Sequence, residues 1–141
     1  MRPLAILASI AVLGLSGCVT PPSDAMHAIF AAAEAAPDVV PGVYVIQIQG
    51  TGRRDGRLYL NSEADYRDQR NLTIAISPSA FAGLEARFGP APETRLTGRR
   101  IAVTGSAMRV RIDFTGNGQP TGKYYFQTHV VVNDADQIAL R

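Results

Sequence analysis

The side chains with ready nucleophilic or metal-binding chemistry near neutral pH are few: one cysteine, Cys18, and two histidines, His27 and His129, in 141 residues. The histidines are far apart in the chain, no His-Glu-x-x-His pair exists, and a lone cysteine has no partner. A disulfide, a zinc cluster or a cysteine-based catalytic site therefore cannot be assembled within the chain. Neither a Gly-x-Ser-x-Gly elbow nor a glycine-rich loop running into Lys and Ser or Thr occurs, which removes common hydrolase and nucleotide-binding patterns. No metal and no cofactor is expected. What remains for acid–base chemistry is a charged stretch of Glu63, Asp65, Tyr66, Arg67, Asp68 and Arg70. An enzyme would use Asp65, Asp68 or His129 there. The same stretch also fits a solvated elbow whose ion pairs contribute under about 1 kcal/mol each.

A second set of residues suits binding: Arg57, Tyr59, Tyr66, Arg67, Arg70, Arg109, Arg111, Tyr125 and His129. Guanidinium forks and aromatic faces can hold a strand of nucleic acid, a sugar chain or an acidic peptide. Tyr59 and Tyr125 could instead complete a core, and Arg109 and Arg111 could keep an exposed strand soluble.

Strands must position these groups. Leu58 and Leu60 alternate with wettable neighbours in Arg57–Asn61, and Leu72, Ile74 and Ile76 alternate in the same way. Period-two alternation puts one face in a core. The charged residues between these runs form a surface elbow. Upstream, Val43–Gln49 is a strand, Gly50 and Gly52 suggest a bulge, and Asp55-Gly56 a hairpin turn. Downstream, Pro78 opens a helix with Phe81, Leu84 and Phe88 at helical spacing, and Gly89-Pro90 stops it. Arg100–Thr104 continues past a bend at Gly105 into Met108–Phe114. Thr115–Gly122 holds Gly116, Gly118, Pro120 and Gly122 and is expected to be a flexible connection. Tyr124–Val132 is the last long strand, and Ile138 and Leu140 close an edge. Ahead of all this, Asp24–Ala36 is alanine-rich, with Met26, Ile29, Phe30 and Ala33 at helical spacing and Pro37 at its end. That predicts a short helix, capped by Ser23, with this stripe packed on the domain.

At the amino terminus, Arg2 supplies a positive end. The apolar run Leu4–Leu15 is too short for a spanning helix of about 20 residues but suits the core of an export signal. It closes on Leu15, Ser16, Gly17 and Cys18. This ending resembles the lipobox of bacterial lipoprotein precursors, in which Leu, a small residue and Gly or Ala precede Cys. The resemblance implies cleavage before Cys18 after its thiol is diacylated, with acylation of the new amine. Two or three chains, at about 0.8 kcal/mol per buried methylene, anchor stably. It implies a signal peptide over 1–17 and a lipid anchor at Cys18; with the helix and strand patterns above, the chain divides into 1–17, a lipid-anchored tether with a short helix over 18–41 and a β-domain over 42–141. Val19, where an Asp would favour inner-membrane retention, points to the outer membrane, facing the periplasm. Removing Arg2 from 14 basic residues leaves 13 against 12 acidic. That balance, with export, argues against nucleic acid as the partner.

Strand, strand, strand, helix, strand, strand is the order of a five-stranded OB-fold-like Greek-key barrel, mainly β, with a short helix between strands 3 and 4 and a short N-terminal helix before it. The pieces Leu58-Tyr59-Leu60-Asn61 with Asp65-Tyr66, then Leu72–Ile76, Leu96-Thr97-Gly98-Arg99-Arg100 through Gly105, and Asp136-Gln137-Ile138 resemble OB-type domains of exported bacterial proteins. The resemblance covers residues 43–140. It departs at the Gly-rich insertion followed by Lys123-Tyr124-Tyr125-Phe126. It implies ligand contact across the second and third strands and the flanking loops. The function expected is a membrane-anchored lipoprotein carrying a non-catalytic binding module for envelope protein or glycan. The alternatives are an envelope enzyme at the 63–71 elbow and single-stranded nucleic-acid binding.

Overall fold

Alternating apolar residues become a curled sheet in the computed structural model, which describes residues 20–141. Leu15, Ser16, Gly17 and Cys18 lie outside the described residues. The chain is mainly β with short helices. Its strands are β1 (Val40–Gln47), β2 (Gly50–Arg54), β3 (Arg57–Asn61), β4 (Leu72–Ile76), β5 (Arg100–Gly116), β6 (Gln119–Val132) and β7 (Ile138–Leu140). They are ordered β1-β5-β6-β4-β3-β2, with β7 on β5. All pairings are antiparallel except that of β4 with β6. The expected five strands thus appear as seven segments. One reason is the interruption at Ile48 and Gln49, which separates β1 from β2. β1 pairs with β5 and β2 with β3. One stretch of chain therefore lies at both ends of the strand order and curls the sheet toward closure. Gly50 sits at this bend because an added Cβ would fall 2.8 Å from the Glu63 backbone oxygen.

Among the described residues three α-helices, α1 (Ala25–Ala35), α2 (Pro78–Phe88) and α3 (Pro92–Leu96), and a 3-10 turn at Ala135–Gln137 accompany the sheet. Ser77 caps α2 by accepting from the Ala80 N–H, Pro78 starts it, and Gly89, at φ 85°, ends it. Ala80 and Leu84 carry it into the core. The cap of α1 is Asp24, whose Oδ1 accepts from the His27 N–H at 2.8 Å, rather than Ser23. Ser23 is engaged elsewhere: its N–H donates to the Val43 carbonyl, and its carbonyl accepts from Val45 N–H, both at 2.8 Å. The packed side of α1 also differs from expectation. Ala28 and Ala32 are fully buried, while Met26 and Phe30 are exposed, Phe30 by 67%. Small side chains let the helix axis approach the sheet closely, and at 3.6 residues per turn Met26, Phe30 and Ala33 then fall on roughly the opposite side. Ala28 and Ala32 share one core with Tyr44, Ile46, Leu60, Ile74, Ile101, Val130 and Val132. The helix belongs to the folded domain.

The glycine-rich stretch is not a flexible connection. β5 runs to Gly116 and β6 begins at Gln119, so Asn117 and Gly118 make a two-residue turn. Both have positive φ, 51° and 76°, the combination that matches the twist of a hairpin. The glycines serve the turn and the irregular register between Asp113 and Thr115. The result is a two-stranded arm, because β1 pairs with β5 only as far as Ala107 and β4 with β6 only from Thr128 onward.

Along this arm the apolar face changes sides. Ile101, Val103 and Ala107 point into the core with no exposure. Continuing that parity leads to Arg109, Arg111 and Asp113, whereas Met108, Val110, Ile112 and Phe114 belong to the outer face. The pairing with β1 through Ala107 runs without a register shift, so the apolar stripe itself has crossed the sheet. It meets Tyr125, Gln127 and His129 of β6 on the same outer face.

Candidate binding groove

Outward-facing residues of β3, β4 and β6 have odd numbers: Tyr59 and Asn61, Thr73, then Tyr125, Gln127 and His129. Pairing sets Asn61 opposite Thr73 and Thr73 beside His129. Thr51, Gly52, Arg53 and Arg54 of β2 form one wall, Ile112 of the arm another, and Tyr66 of the elbow an overhang. Together these residues line a concave groove of about 420 Å³.

Three alternate residues of β6 are wired in series. Gln127 Nε2 donates to the Tyr125 hydroxyl at 2.6 Å, which leaves Gln127 Oε1 to accept from His129 Nε2 at 2.8 Å. That direction makes His129 Nε2 the protonated nitrogen, and it leaves the Tyr125 O–H free to donate into the groove. Burial pushes the His129 pKa below its ordinary value. The imidazole is neutral at pH 7. Phe114 stacks on Tyr125, with centroids 5.2 Å apart, and steadies the ring.

The floor beside Tyr59 is a buried amide network. Asn71 Nδ2 donates to Asn61 Oδ1 at 3.1 Å, to Thr73 Oγ1 at 2.9 Å and to the Tyr66 carbonyl at 3.3 Å. Thr73 Oγ1 also donates to Asn61 Oδ1, and Asn71 Oδ1 accepts from the Glu63 N–H at 3.0 Å. These bonds hold both ends of the elbow to β3 and β4 and so place Tyr66 over the groove.

The elbow's charges are consumed locally. Arg67 forks onto Asp65, with bonds of 3.0 Å to both oxygens, and Arg70 onto Asp68, at 3.1 and 2.8 Å. The guanidinium of Arg67 lowers the Asp65 pKa, and that of Arg70 brings Asp68 to about 2. Neither carboxylate lines the groove. Arg53 forks onto Glu93 at 2.8 and 3.0 Å while lying over the Phe81 ring. Arg54 lies 3.4 Å from Asp55.

Of the residues singled out from sequence, Tyr59, Tyr66, Tyr125 and His129 converge on the groove. Arg67 and Arg70 sit on the elbow, turned to their carboxylates. Arg57 lines a smaller depression with Arg53, Arg54 and Phe81. Arg109 and Arg111 do not join the face: they occupy the reverse side of the arm, because their parity is that of the core. There Arg109 lies 3.7 Å from the Phe126 centroid and Arg111 4.1 Å from that of Tyr124. Asn61, Thr73 and Gln127 are groove residues that alternation alone could have found, since each is two positions from Tyr59, the buried Ala75 or His129, and Ile112 follows from the even-numbered apolar run of Met108, Val110 and Phe114. Asn71 has no such signal, because it bonds through the elbow's return. Among the described residues, no group of three or more His, Cys, Asp or Glu gathers as a metal site. No described helix is long and apolar enough to cross a membrane.

No family profile matches the chain. No curated protein matches it. Among solved structures, it is similar to the Est3 telomerase subunit of the yeast Hansenula polymorpha, at 14% identity and a TM-score of 0.48 over 100% of this chain and 79% of that one. It is also similar to a chain assigned as an aspartyl-tRNA synthetase from Leishmania major Friedlin, at 10% identity and a TM-score of 0.42 over 94% of this chain. The chain spans 23% of that synthetase's length. Likenesses this distant carry no functional argument.

Proposed function

We propose that the protein is a membrane-anchored lipoprotein of the cell envelope, acylated on Cys18 and carrying a non-catalytic module that holds a sugar chain in the groove. The strand segments correspond in this view to the five strands of an OB-fold, β1 with β2 counting as the first and β7 as an edge addition. The anchor rests on the lipobox of Leu15, Ser16, Gly17 and Cys18, and Val19 favours the outer membrane, facing the periplasm. The observation that carries the ligand class is the groove's neutrality. Its hydrogen-bonding groups are tyrosine hydroxyls, amides, a threonine and a neutral imidazole; of its two arginines Arg53 is forked onto Glu93, which leaves Arg54, exposed and 3.4 Å from Asp55, as the one loosely paired cation of the lining. Aromatic faces flanked by neutral donors and acceptors suit hydroxylated rings. A phosphate strand or acidic peptide would need unengaged cations. Catalysis has little support, since His129 has neither Asp65 nor Asp68 beside it in the groove lining. A protein partner is the second reading, favoured by Tyr124, Phe126, Arg109 and Arg111 on the reverse of the arm.

Purified envelope glycan strands and single-stranded oligonucleotides, titrated at low and high salt, test the ligand class. Glycan binding that is insensitive to salt and lost in Tyr59→Ala is expected. Oligonucleotide binding that weakens with salt, with no glycan binding, would refute it. Palmitate labelling of wild type and Cys18→Ser tests the anchor: label that survives the substitution rejects the lipobox assignment.

A further inference from the structure

We infer that the outward face of α1, with Met26 and Phe30, rests on the lipid bilayer; this orientation depends on the acylation of Cys18 proposed above. Two features, one of backbone and one of side chains, point to it. The first is the length of the leash. Ser23 is fixed to β1 by its bonds to Val43 and Val45, both 2.8 Å. Five residue steps separate it from Cys18, so the anchored sulfur and the folded domain are joined by at most about 17 Å of chain. A domain of this size has a radius of gyration of roughly 13 Å. The leash is therefore shorter than the domain is wide, and it keeps the start of α1 within about 17 Å of the anchored sulfur.

The second feature is what that end presents. Phe30 is the most exposed large apolar side chain among the described residues, at 67%, and Met26 and Val39 are also exposed. Phe30 lies within about 10 Å of Ser23 along the helix, at 1.5 Å per residue. It shares its side of the helix with Met26 and Ala33, away from Ala28 and Ala32. Asp24, His27 and Glu34 are the titratable residues of the cap and helix, and no Lys or Arg lies on it. Attraction to anionic headgroups therefore contributes nothing. One phenylalanine and one methionine are too little to hold a free helix on a bilayer. Tethering changes this by making the contact intramolecular, at high effective concentration. The occupant is thus the lipid surface itself, whose headgroup zone is a few ångströms deep on each side.

The chain contains no tryptophan, so Phe30→Trp introduces a single reporter at an exposed site. The acylated variant, purified from membranes and inserted in vesicles of zwitterionic lipid, is compared with and without bromine on the upper acyl carbons. A blue-shifted emission that loses most of its intensity to brominated lipid is expected. In a second variant, a flexible Gly/Ser-rich insert of about 20 residues after Thr20 makes the leash longer than the domain is wide, and the quenching should then fall sharply although acylation, read by mass, persists. Acylated, vesicle-bound protein whose tryptophan emits as in water overturns the orientation alone. A shift that grows with protein density and ignores bromine identifies a second copy as the occupant and also overturns it. A Cys18 without acyl chains overturns the anchor and the orientation together.

Discussion

Removing the side-chain amide of Asn71 should unlatch the elbow. Asn71 is 3% exposed and supplies five bonds within the 61–73 region. In Asn71→Ala, Asn61 and Thr73 keep their bond to each other, and Ser62 Oγ still accepts from the Leu72 N–H at 2.8 Å. Two backbone groups lose the Asn71 side chain as partner: the Glu63 N–H and the Tyr66 carbonyl. A buried polar group left unpaired costs about 1–3 kcal/mol. Because both lie where the chain turns to the surface, water recovers part of this, and the expected loss is about 2–4 kcal/mol. For a domain of this length that corresponds to a fall in Tm of roughly 10 °C. Asn71→Asp is the sharper variant. It keeps the acceptor for Glu63 but aims a carboxylate at Asn61 Oδ1, and burying that charge without a cation should cost at least as much. Thermal melting by circular dichroism reads both. Glycan titration should show weaker binding, because Tyr66 is no longer held over the groove. A Tm shift under about 3 °C for both variants would refute the reasoning, since a dispensable network cannot be what places Tyr66.

Acidification should weaken the fold through His129. Its pKa is depressed in the native state by burial, so the unfolded chain binds more protons below its ordinary value of about 6.5. Stability is full above that value and falls as pH drops through the folded pKa; His129→Gln should flatten this part of a urea-midpoint versus pH curve, and an unaltered slope would count against it. At the arm's tip, Gly118→Val places a β-branched residue at φ 76°. Since the arm stands outside the core, amide exchange between Arg109 and Phe126 should quicken while Tm moves little, and a large fall in Tm would mean that the arm is integral to the core.

Much of the sheet was legible because burial imposes period two on a strand's side chains. Leu58, Leu60, Leu72, Ile74 and Ile76 alternate and are all buried to within 1% exposure. The α2 boundaries were legible for a similar reason, as Ser77, Pro78 and Gly89 are each demanded by backbone chemistry at a helix end. Composition misled where two structures share it. Glycines between Thr115 and Gly122 suit a loose loop, but Asn117-Gly118 also satisfies a tight hairpin turn, and the flanking Phe114 and Tyr124 supply strand propensity on both sides. In α1, large apolar residues at helical spacing suggested the packed face. Close approach to the sheet selects alanine instead, and hydropathy alone cannot express that preference.

The arm shows what alternation does and does not encode. Ile101 and Val103 carry odd numbers, and Met108, Val110 and Ile112 even ones. A single strand without a bulge cannot bury both sets on one face, so the change in parity near Gly105 already requires the apolar stripe to cross the sheet. Gly105 lies just ahead of the crossing, which comes after the buried Ala107, and a Cβ on Gly105 would fall 2.7 Å from Val130 Cγ1. Absence of that Cβ lets β5 continue past the core without spreading the sheet. Beyond it the core parity has nothing left to cover it and is occupied by Arg109 and Arg111, while the outer parity becomes apolar and faces Tyr125. A stripe that leaves the core and reappears on a solvent face cannot be explained by the stability of that core. Its placement beside Tyr59, Gln127 and His129 is the reason for assigning the groove, rather than the charged elbow, as the binding surface.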